Sequence, residues 1–131
     1  MYQNYFPSNA LELIEGVCPG FFFYFSDSEG KFIKVSTTIQ NILGYSQEEF
    51  LANNNDFITN NPINGKAKAN KIKTLQGIQQ PPYEMELFHK DGSKRLLKIE
   101  EIPIFCEGDY IAGIEGIAQD ITHSSNSGII L

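Results

Sequence analysis

A chain of 131 residues with 41% apolar composition has room for one ordinary domain with a core of its own. Its net charge of −6 and pI near 4.8 repel a phosphate backbone, and the one basic cluster is Lys66, Lys68, Lys71 and Lys73, which argues against a nucleic-acid partner. The longest apolar run, Phe21 to Phe25, is far short of the roughly 20 residues that cross a bilayer. With no basic segment before an apolar one at the N-terminus, and with Cys18 and Cys106 too far apart to suggest a disulfide framework or a metal-ligand set, the composition reads as a cytoplasmic segment with reduced thiols and no membrane contact.

In chain order, NALELIEG offers Asn9 as an N-cap, Glu12 at the third helical position and Gly16 as a stop, which predicts a short amphipathic helix flanking the domain within residues 1–16. Next, GFFFYF, the turn formers SDSEG and then KFIKVS predict a β-hairpin. Alternation puts Phe22, Tyr24 and Ser26 on one face of the first strand and Phe21, Phe23 and Phe25 on the other. Such an unbroken aromatic run needs cover on both sides. A helix is expected from Ser36 to a stop at Gly44, and Ser46 with Glu49 opens another through a capping box. The Asn-rich NNNDFITNN allows one helical turn at most.

Pro62 lies near the start of a helix clear from Lys66 to Gln76 and stopped by Gly77, with Ile72 and Leu75 sharing a face and the lysines turned to water. The last third reads as a meander of PYEMELFH, KRLLKIEEIPIF and YIAGIEGIAQDIT, joined at KDGS and CEGD. The expected fold is α+β, a five-stranded antiparallel sheet with short helices on one face.

Four of these pieces, in order, resemble the PAS domains of bacterial signalling proteins. FFYFSDSEGKFIKVS is similar to the family's first hairpin, NILGYSQEEFLA to its Gly-Tyr-Ser turn and acidic helix, HKDGSKRLLKIEEIPIF to its central hairpin with a late Pro, and YIAGIEGIAQDIT to its last strand with a terminal Asp-Ile-Thr. The resemblance covers roughly Gly16 to Thr122, dividing the chain into a flanking helix at 1–16, a PAS domain at 17–122 and a linker or tail at 123–131. It implies that the inner face of the sheet meets the helices around a small pocket. The outer row, Phe21, Phe23 and Phe25, would lie under the Asn9–Glu15 helix or in a homodimer interface.

The resemblance implies no cofactor. His89 falls at a hairpin and His123 past the last strand, away from a haem iron. Where photoreactive flavin relatives carry a Cys this chain has NNNDF, and where they carry a Gln on the last strand it has Glu115. Alternation and the family's register line the pocket with Tyr24, Tyr83, Met85, Leu87, Leu97, Ile99, Glu101 and Glu115. A carboxylate removed from water must be partnered or protonated, so a bulge near Glu100 and Glu101 turns one carboxylate outward, or Glu101 pairs with a Lys, or the two glutamates mark the polar end of a site for a cationic or hydroxyl-bearing ligand.

Neither a nucleophile with its base, nor a phosphate loop, nor a metal-spaced set stands in the sequence. The expectation is a non-catalytic sensory module of a two-component system, the input of a sensor histidine kinase, with a diguanylate cyclase input or a purely structural dimerisation domain as alternatives. Asp120, Ile121 and Thr122 would be its signal exit toward a downstream output domain, although HSSNSGIIL after them is flexible in composition and unlike the start of a coiled coil.

Overall fold

The computed structural model describes residues 20–123, so the expected Asn9–Glu15 helix, Cys18 and the segment 124–131 lie outside the described residues. Within them, five strands form one antiparallel sheet in the order β2-β1-β5-β4-β3: β1 Phe21–Asp27, β2 Phe32–Val35, β3 Tyr83–Phe88, β4 Lys94–Phe105 and β5 Ile111–Asp120. The first and last strands, β1 and β5, are neighbours, with β5 at the centre of the sheet, and they join at their ends, where the Asp120 amide donates to the Gly20 carbonyl. No helix among the described residues is long and apolar enough to cross a membrane.

Helices α1 (Ile39–Leu43), α2 (Gln47–Asn53) and α3 (Ile63–Leu75) connect the two hairpins across one face, with a 3₁₀ turn at Asn54–Phe57. Gly44 closes α1 in the left-handed conformation, φ 83°, which a side chain would oppose. The α2 capping box is complete: Ser46 Oγ accepts from the Glu49 amide and the Glu49 carboxylate accepts from the Ser46 amide. Helix α1 begins later than Ser36 because that serine is used elsewhere, its Oγ accepting from the Phe23 amide and bonding Thr38 Oγ1.

The core forms where α1 and α2 lie over the sheet, joining Phe22, Tyr24, Ile39, Leu43, Phe50, Leu97 and Ile99. Edge-to-face contacts link Tyr24 with Phe32 at 4.8 Å and Phe32 with Phe50 at 5.5 Å. These rings cover the inner side of the aromatic run.

Helix α3 starts at Ile63, with Pro62 at its N-cap, in line with the placement of Pro62 near its start. Two local expectations are corrected, the face that α3 turns inward and the bulge in β4. The helix turns Ala67 and Thr74 inward and leaves Ile72 48% exposed. Lys71, between Ala67 and Thr74 on that inner face, is not in water but beneath the helix, its side chain 21% exposed. The β4–β5 ladder runs without interruption from Leu97 to Ile104, so no bulge turns Glu101 outward; the irregularity falls between Ile104 and Phe105.

Candidate functional site

Between α3, the 3₁₀ turn and the inner face of the sheet lies a cavity of about 550 Å³. Tyr24, Tyr83, Met85 and Leu87 stand at its wall with Leu97, Ile99 and Glu101, brought together because β1, β3 and β4 each turn alternate residues inward. Phe22, Phe32 and Phe50 extend the apolar wall, and Asn54, Asn55, Asn64 and Lys68 add polar groups. Such a site, mostly apolar with a few convergent polar groups, suits a small molecule.

Glu101 is the polar centre. It is 4% exposed and stands opposite Gly116 in the sheet. Its carboxylate accepts from the Tyr24 hydroxyl and, at 2.7 Å, from the Tyr83 hydroxyl, and lies 3.8 Å from Lys71 Nζ. Gln79 fixes the backbone there, donating to the Glu101 carbonyl at 2.6 Å. A buried charge is tolerated when hydrogen-bonded and paired, and Glu101 is both. Burial, then the Glu101 charge, pushes the Tyr24 and Tyr83 hydroxyls well above the ordinary tyrosine range, so both remain donors. Burial also lowers the pKa of the Lys71 ammonium, while Glu101 pulls it back up.

Of the residues expected at the pocket, Glu115 is placed elsewhere. It pairs with Phe25 on β1 and Ile102 on β4, one residue out of phase with Glu101, and therefore points to the outer face. The inward residue is Gly116, where a Cβ would come within 2.2 Å of the Tyr24 ring. Only hydrogen fits beneath that ring. Outside the expected set stand Phe22, Phe32 and Phe50, the three asparagines, Lys68 and, most consequentially, Lys71, for which the faint signal is its helical spacing from small Ala67 and Thr74.

Neither His89 nor Cys106 is at the cavity wall: His89 Nδ1 accepts from the Asp91 amide within its hairpin, and Cys106 is exposed. On the outer face Phe23 is buried and Phe21 and Phe25 are half-buried. The stretch Asp120–Thr122 is knotted to β4. Asp120 Oδ1 accepts from the Thr122 hydroxyl and amide, Thr122 Oγ1 accepts from the Leu96 amide, and the Ile121 amide donates to the Leu96 carbonyl.

A family model described as a PAS domain matches residues 19–123. No curated protein matches the chain. Among solved structures, a domain of a sensory box sensor histidine kinase/response regulator from Geobacter sulfurreducens is similar at 24% identity and TM-score 0.66, with 89% of this chain and 96% of that one covered. The PAS domain of a protein from Colwellia psychrerythraea is similar at 20% identity and TM-score 0.64, covering 85% and 97%. The N-terminal domain of a diguanylate cyclase with PAS/PAC sensor from Marinobacter aquaeolei is similar at 12% identity and TM-score 0.63, covering 80% and 98%. At these identities the likeness is one of fold.

Proposed function

Because the chain belongs to the PAS domain family, whose domains are sensory rather than catalytic, we propose that it is the input module of a sensor histidine kinase and binds a small molecule in the cavity beneath α3. The observation that carries this reading is a buried carboxylate, bonded to two tyrosines and paired with a lysine, at the wall of an otherwise largely apolar cavity of about 550 Å³. A domain serving only as a structural spacer gains little from such a polar cluster, because apolar residues fill a core at no cost in desolvation.

The same proposal includes a homodimer built on the outer sheet face, where Phe21 and Phe25 are half-buried, and Asp120–Thr122 as the route to an output domain. A ligand that binds only the folded state raises the melting temperature by mass action. We expect a panel of small amphiphilic molecules to contain some that raise it for the wild type, and Ala67→Phe, which narrows the cavity, to abolish that rise while retaining the far-ultraviolet circular dichroism of the fold. If no compound shifts the midpoint, the cavity is not a ligand site. In the full-length chain a binding compound should change the autophosphorylation rate; a change in nucleotide cyclisation instead would mark a cyclase input.

A further inference from the structure

Lys71 Nζ lies 3.8 Å from Glu101 Oε2, 4.2 Å from the centre of the Phe32 ring and 5.6 Å from that of Tyr24. A carboxylate beside two aromatic faces is the set of groups that holds an organic cation. Here the cation is supplied by the protein itself, on a flexible four-carbon stem from α3.

The two charges differ in freedom. The Glu101 side chain is 2% exposed on a central stretch of β4, whereas that of Lys71 keeps 21% exposure on a helix at the cavity wall. Lys71 can therefore swing to solvent by rotating its stem, whereas the short Glu101 side chain is held in place by the Tyr24 and Tyr83 hydroxyls.

Charge balance then selects the ligand. The site buries one negative and one positive group. An anion would add a second negative charge beside Glu101, and a neutral molecule would leave the pair as it is. A cation can replace the ammonium one for one, so the net buried charge stays the same. We propose that the cavity takes a small organic cation, an amine or quaternary ammonium with an apolar body, which seats between Phe32, Tyr24 and Glu101 and displaces the Lys71 ammonium to solvent. This rests on the cavity being a ligand site. The apolar body would lie against Phe50, Met85, Leu97 and Ile99. Displacement removes a tether between α3 and β4, so occupancy is read as a change in how the helix is held.

The test uses four probes of one chain length: hexylamine, hexyltrimethylammonium, hexanol and hexanoate. Two readouts are taken on the wild type: the melting temperature with all four probes, and, with every probe except hexylamine, whose own amine would consume the reagent, the acylation of each lysine by acetic anhydride, with Lys66 and Lys73 as internal references. The expected result is that the two cations raise the midpoint more than hexanol does, that hexanoate does not raise it, and that Lys71 acylation increases several-fold with hexyltrimethylammonium while the reference lysines are unchanged. Lys71→Met keeps the stem and removes the competing charge, so it should tighten binding of hexyltrimethylammonium by about tenfold. Glu101→Gln should leave that probe no better than hexanol.

Equal stabilisation by hexanol with Lys71 still protected would overturn the cation assignment and leave the ligand site standing, as would preferential binding of hexanoate. Stabilisation by none of the four would remove both. Should either variant fail to fold, the wild-type acylation pattern decides alone.

Discussion

Glu101 and Glu115 stand on neighbouring strands, yet one faces the cavity and the other the outside of the sheet, because Gly116 and not Glu115 opposes Glu101. The Glu115 Oε2 atom is buried without a hydrogen-bond partner among the described residues, and burial raises its carboxyl pKa above the ordinary 4.5. A folded-state carboxyl that holds its proton to higher pH than the unfolded chain favours folding in acid, and that contribution is lost as pH rises through the raised value. Glu115→Gln should therefore melt at the same temperature as the wild type in acid and higher near neutrality, with ligand stabilisation unchanged. Thermal melts across that pH range check this; a gap that does not vary with pH would refute it. The register was partly legible, since Glu115, Ile117 and Gln119 form the more polar phase of β5 and a glycine opposite Tyr24 marks a close approach. Lys71 was harder to find. The inward stripe of α3 is Ala67, Lys71 and Thr74, and hydrophobic periodicity cannot pick out a face that contains no large apolar side chain.

Among the elements, the short helices depend on their ends more than on their lengths, since seven residues are too few to be helical by propensity alone. Ser46→Ala removes one half of the α2 capping box and should destabilise the domain by about 1 kcal/mol. Denaturant titration with an unchanged slope would show that loss, and an unshifted midpoint would mean that packing of Phe50 alone holds the helix. Caps and turns of this kind were readable from Ser46, Glu49, Gly44 and the Asp-Gly hairpin because the signal is local. The absence of a bulge at Glu100 and Glu101 was not readable. The other alternative, Glu101 paired with a Lys, is the one realised, and its partner is Lys71 arriving from another element, a long-range contact that no short stretch of sequence encodes.

At the scale of the molecule, the outer face of the sheet sets Phe25 directly opposite Glu115 and Phe23 opposite Ile117. If this face joins two copies, as proposed, Phe25→Glu puts a new carboxylate beside Glu115 of the same sheet, and burying that charge against a second copy is costly, so the interface should weaken while the far-ultraviolet circular dichroism of the fold is retained. Sedimentation should find the wild type dimeric and the variant shifted toward monomer at the same concentration. A wild type that sediments as a monomer throughout, or a variant that associates equally well, would rule the interface out. The meeting of β1 and β5 at Gly20 and Asp120 has a mechanical consequence. A load pulling those two residues apart acts across the strands and breaks the central ladder one pair at a time, the weak direction for a sheet. A twist applied at Asp120 reaches β1 through that ladder and β4 through the Thr122 knot together. Tension between Gly20 and Asp120 thus loads the ladder in its weak direction, whereas a twist at Asp120 is shared between β1 and β4.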